Sequence, residues 1–122
     1  MKFLRDKAHC KHEAYSKGDF AVLTGTLTPD APTQDITYPE GFTQSNCVVT
    51  SIMLKNEGTE NWVNGSTYDM ASNTASAIPV RAILSSDKIK LTVKSLFITE
   101  ESFMLGTIVN NVNFKIVLMK IS

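Results

Sequence analysis

Five consecutive residues, His9-Cys10-Lys11-His12-Glu13, form the densest group of metal-capable side chains in the chain. In an extended segment Cys10 and His12 would share a face. A structural zinc site takes four such ligands, usually as two separated pairs, and no second pair follows. The segment therefore predicts no metal site. Nucleophilic catalysis lacks its parts as well: there is no G-x-S-x-G, and the only histidines are His9 and His12. Glu100 and Glu101 are adjacent. On a strand they would point to opposite faces and could not serve as a glycosidase pair. No glycine-rich loop has phosphate-cradling spacing, so no cofactor is expected. These residues predict a chain that is not an enzyme.

The remaining chemistry is recognition. Trp62 has Asn64 and Tyr68 close by in sequence. Aromatic rings stack on the apolar faces of sugars, and an Asn amide supplies directional hydrogen bonds. Trp62, Asn64 and Tyr68 are thus the candidate binding residues, on a polar stretch between 57 and 77. The plainer alternative is that Trp62 caps the core beneath a long loop. Nucleic acid is not an expected partner. Twelve basic residues balance twelve acidic ones, and the lysines of KIKLTVK have no aromatics between them on which bases could stack.

Such a platform needs a scaffold. The chain has 122 residues and 43% hydrophobic content, which suits one folded domain. Phe20 to Leu27 is rich in β-formers, and Gly25 inside it signals a bulge or a close backbone approach. Thr28-Pro29-Asp30-Ala31-Pro32 is a loop. Ile36 and Tyr38 alternate onto one side, and Pro39-Glu40-Gly41 predicts a turn. In Cys47 to Lys55, the face of Val48, Thr50, Ile52 and Leu54 is the better core candidate. Ile78 to Leu84 reads as a strand with Pro79 near its start. Lys88 to Lys94 alternates cleanly, with Ile89, Leu91 and Val93 inward and a lysine row outward that discourages edge pairing. Phe103 to Val109 follows. Phe114, Ile116 and Leu118 then oppose Lys115, Val117, Met119 and Ile121. Both faces of that last strand are largely apolar, which places it centrally or against a partner subunit.

The sum is an all-β chain: an antiparallel β-sandwich, jelly-roll-like, of about seven to eight strands. Residues 1–19 would be an N-terminal arm or first strand, and 20–122 the sandwich domain. Arg5, Asp6 and Lys7 interrupt any signal-like core, so synthesis in the cytoplasm without a signal peptide is expected. No apolar run reaches the roughly 18 residues of a spanning helix, so membrane insertion is not expected. With no export signal, Cys10 and Cys47 are expected as reduced thiols, although a disulfide between them stays open.

At ITYPEGFTQSNCVVTSIMLKN, DKIKLTVKS and the terminal NFKIVLMKI, the sequence resembles small structural proteins of Gram-positive prophages. These look like distal domains of tail fibres and baseplate proteins, and the likeness spans roughly residues 36–121. The resemblance implies a non-enzymatic β-sandwich module of the virion, often trimeric. It would attach to another tail protein or to a host cell-surface glycan. The alternative is a stand-alone carbohydrate-binding domain. The resemblance carries over no catalytic residue and no cofactor. The chain lacks the coiled-coil or shaft segment of a full fibre.

Overall fold

The computed structural model describes residues 12–58, 60–64, 67–70, 74–99 and 101–121. The strands, in chain order, are β1 (Glu13–Lys17), β2 (Phe20–Leu27), β3 (Thr33–Ile36), β4 (Cys47–Asn56), β5 (Val63–Asn64), β6 (Thr67–Met70), β7 (Thr74–Ile78), β8 (Val80–Leu84), β9 (Ile89–Val93), β10 (Ser95–Thr99), β11 (Phe103–Gly106) and β12 (Val112–Lys120). Among the described residues there is no helix. Every strand pairing is antiparallel.

The strands form three sheets, ordered β1-β2-β12-β4-β5, β3-β9-β8 and β11-β10-β7-β6. The all-β, antiparallel expectation therefore holds. A single jelly-roll of about seven to eight strands does not describe the chain, because the polar stretch after β4 carries strands of its own.

Period-two alternation builds the core. On β12, Val112, Phe114, Ile116 and Leu118 are fully buried, and on β9 Ile89, Leu91 and Val93 are buried in the same way. Leu23 and Leu27 of β2, Ile36 of β3 and Leu54 of β4 join them in one cluster. The five-stranded and three-stranded sheets thus share one hydrophobic core. β12 lies between β2 and β4, so its two-faced apolar pattern belongs to a central strand. β9 is also central, between β3 and β8, so its lysine row lies on a solvated face and protects no edge.

One sequence expectation is corrected here, and one left open between two alternatives is resolved. The face of β4 is not Val48, Thr50, Ile52 and Leu54 throughout. Ser51 pairs with Val117 but Val49 pairs with Leu118, so Thr50 is an extra residue in the ladder. A bulge of this kind switches the faces on either side of it. Ile52 and Leu54 then point inward with Val49 and Cys47, while Val48 and Thr50 face out. The Thr50 hydroxyl donates to the Val117 carbonyl at 3.2 Å. Gly25, by contrast, marks no bulge. Its register with Phe114 is regular. A Cβ there would lie 2.7 Å from Phe114 Cζ and 2.8 Å from His12 Cδ2. Glycine is required at this position by the close approach of a core ring.

The YPEGF stretch closes one end of the core. Phe42 N–H donates to the Pro39 carbonyl at 3.0 Å, and Gly41 takes a φ of +87°. This is the backbone region that favours glycine. The turn drops Phe42 into the core, while the Tyr38 hydroxyl donates to the Ser85 carbonyl at 2.7 Å. Asn46 fastens the segment: its side-chain oxygen accepts from Thr43 N–H at 2.8 Å, and its amide donates to the Gly41 carbonyl at 3.0 Å.

The third sheet departs from the core. Val80 pairs with Val93, and Ala77 pairs with Leu96 in the same register. β7–β8 and β9–β10 are therefore one long hairpin, interrupted at Pro79 and Lys94. Proline cannot donate, yet its carbonyl accepts from Lys94 N–H at 3.1 Å, so the ribbon continues through the break. β6 and β11 flank its far half. Of the described side chains in this sheet, only Ile78 packs against the core.

Candidate functional site

The outer face of the five-stranded sheet is set by register. Glu13, Thr24, Lys115, Met53 and Asn64 lie in one cross-strand row, with Thr26, Asn113 and Lys55 in the next. Trp62 precedes β5 and is half-buried near this face. Lys115 Nζ sits 4.3 Å from the Trp62 ring centroid, and Lys55 Nζ lies 5.8 Å from it. Cation–π attraction on this scale holds the indole near the sheet and contributes roughly 0.5–1 kcal/mol at an exposed site.

An open groove of about 320 Å³ runs beside the indole, lined by Glu13, Thr24, Thr26, Trp62, Asn113 and Lys115, with Gly25 and Phe114 at its base. The Thr26 hydroxyl donates to Asn113 Oδ1 at 2.7 Å, which leaves the Asn113 amide as a donor oriented by that bond. Hydroxyl and amide groups next to an indole can take a sugar ring, and the lysine adds attraction for an anionic substituent.

Of the three residues singled out from sequence, the structure brings only Trp62 to this groove. Asn64 is exposed on β5, where it pairs with Met53, and does not line the groove. Tyr68 is on another sheet, in β6 opposite Ala77. The Trp62 neighbours Thr24, Thr26, Asn113 and Lys115 were not visible as candidates in the sequence. They come from β2 and β12, and only strand order joins them to Trp62. Their signal was the polar half of each alternation, which reads as an ordinary solvated face.

The histidine segment is divided. His9, Cys10 and Lys11 lie outside the described residues. His12 is structural: its Nε2 is 2.7 Å from Gln34 Oε1, and its ring lies 5.8 Å from that of Phe114. Gln34 is the one buried polar side chain among the described residues. Its amide donates to the carbonyls of Thr26 at 3.0 Å and Ala31 at 2.9 Å. Those two bonds fix the amide so that Oε1 can only accept, which makes His12 Nε2 the donor. Among the described residues no group of three or more His, Cys, Asp or Glu could hold a metal.

Cys47 is a free, buried thiol that donates to the Thr43 carbonyl at 3.1 Å. Burial pushes its pKa up, which disfavours the reactive thiolate. Tyr38 is raised too, first by burial and then by the nearby Cys47 and Asp87. Neither group is set up as a nucleophile or base.

Among the described residues no helix is long and apolar enough to cross a membrane. No protein-family model, curated protein or solved structure matches the chain.

Proposed function

We propose that this chain is a non-enzymatic structural or adhesion module of a phage-type particle, part of a tail fibre or baseplate and carried in the virion. It would attach to another tail component or to the host surface, as a homo-oligomer for which the prophage resemblance favours a trimer. The five- and three-stranded sheets are read as the two layers of a small sandwich. One observation carries the proposal. The outer face of the five-stranded sheet presents an apolar strip built by register: Tyr15, Val22 and Val117 in one row, and Phe20, Met119 and Val48 in the next. Tyr15 and Phe20 are 65% and 50% exposed. Lys17 lies at one end of the strip and Ser51 at the other. An apolar centre with a polar rim is the anatomy of a non-obligate protein contact. The resemblance at residues 36–121 supplies the kind of assembly. The test is gradient sedimentation of particles from cells that carry the gene, followed by mass spectrometry. Co-sedimentation in fixed ratio to other tail proteins is expected. Recovery only in the slow, free-protein fraction would reject the reading.

A second reading, a stand-alone carbohydrate-binding domain, is favoured by the groove beside Trp62. Calorimetric titration with cell-envelope glycans tests it. Trp62→Ala should weaken any binding at least tenfold while the melting curve stays cooperative.

A further inference from the structure

The groove beside Trp62 is electrically polarised. At one wall stands Lys115, whose Nζ lies 4.3 Å from the indole centroid. Among the described residues this ammonium makes no ion pair and no hydrogen bond. Attraction to a ring face uses none of its three N–H donors in a directed bond, so they remain to be given to a ligand. At the far wall stands Glu13. Register places Thr24 between the two, so two strand spacings, ~9.6 Å, separate them. Glu13 likewise has no ion pair among the described residues.

The floor between these charges is rich in donors. Asn113 lies two residues before Lys115 on the same face of β12, ~6.8 Å along the strand. Its oxygen is taken by the Thr26 hydroxyl at 2.7 Å, which leaves its amide to donate. Thr24 adds a hydroxyl. A neutral sugar would use the amide and the hydroxyls but leave the Lys115 ammonium to water. An amino sugar would bring a second cation to the Trp62 end. A sugar with an anionic substituent meets the ammonium and the amide together. Glu13 repels the anion from the other end, so the ligand has one favoured orientation.

We infer that this groove takes an acidic sugar, its ring beside Trp62 over Thr26 and Asn113, its carboxylate or phosphate against Lys115 Nζ. The inference rests on the carbohydrate reading of the groove. A volume of about 320 Å³ is at the small end for a ligand site, so a short stretch of glycan is held. Fully exposed ion pairs contribute little and charge-assisted hydrogen bonds more. An open groove lies between, which gives a preference for the acidic over the neutral ligand of about three- to tenfold.

Calorimetric titration with matched pairs tests it: tetragalacturonate and a hyaluronan tetrasaccharide, each against its methyl ester, and a mannose-6-phosphate-terminated oligosaccharide against its dephosphorylated form. The pairs also separate a carboxylate from a phosphate ligand. The acidic member of at least one pair should bind more tightly, and the preference should shrink towards one as salt rises from about 50 mM to 1 M. Lys115→Gln should abolish the preference and leave the neutral affinity within about twofold. A lysine that only positions Trp62 would instead weaken both members alike. Glu13→Gln should tighten the acidic member about twofold at low salt. Circular dichroism reports that each variant is folded. Equal binding within every pair would overturn this inference and leave the carbohydrate reading standing, whereas binding of no member would overturn both. A folded Lys115→Gln protein that keeps the preference, or a Glu13→Gln protein that loses acidic affinity, would also overturn it.

Discussion

Replacing Gly25 with alanine adds one methyl group, and two opposing effects set the outcome. Where the added carbon fits, Gly→Ala stabilises by about 0.4–1 kcal/mol because the unfolded chain loses freedom. At Gly25 it does not fit. The new Cβ would stand 2.7 Å from Phe114 Cζ and 2.8 Å from Phe114 Cε2 and His12 Cδ2. His12 is half-buried and can shift, but Phe114 is fully buried on the central strand. Forcing a methyl into a packed core costs about 1–3 kcal/mol, so the clash outweighs the entropic gain. Net of that gain the loss is about 0.5–2.5 kcal/mol, which for a domain of this size is a fall of roughly 2–10 °C in Tm, readable by calorimetry or a urea midpoint. The same change in a Phe114→Leu background should cost under about 0.5 kcal/mol, because the obstructing ring atoms are gone. A Gly25→Ala protein as stable as wild type, or an equal loss in both backgrounds, would refute the reasoning.

Three further outcomes follow from the same structure. Gln34→Leu takes the amide donor from the carbonyls of Thr26 and Ala31 and the acceptor from the His12 nitrogen, so stability should fall by about 1–3 kcal/mol in urea titration. Because the Cys47 and Tyr38 pKa values are raised, the folded state keeps protons that the unfolded chain gives up. Stability is then full below the ordinary thiol value of about 8.5 and declines as pH rises above it, first through Cys47 and then through Tyr38. Cys47→Ala should remove the first part of that decline in urea midpoints measured from neutral to alkaline pH. Alkylation of Cys47 at neutral pH should be slow in the native protein and become fast on unfolding, as read by intact mass.

The strands with one buried and one solvated face were the most legible. Ile89, Leu91 and Val93 alternate with polar residues, and no competing pattern overlaps them. Phe20–Leu27 was bounded correctly by a turn on one side and two prolines on the other. The inner face of β4 was not legible, since one bulged residue switches it and Thr50 looks like any other strand residue. The distal sheet was partly legible. Phe103 to Val109 reads as a strand and holds β11, whereas a hairpin that leaves the core has no buried stripe, so the stretch that carries β6 and β7 reads as a hairpin-like excursion or a long surface loop. The Trp62 groove was half legible. An aromatic residue in a polar stretch stands out in one dimension, whereas Thr24, Thr26 and Asn113 become its neighbours only through strand order.

The most direct test of the particle assignment is location. Gold-labelled antibody fragments raised against this chain, applied to purified particles and viewed by negative-stain electron microscopy, should decorate the distal end of the tail. Particles left unlabelled, while the same fragments deplete the chain from the soluble fraction, would contradict the account.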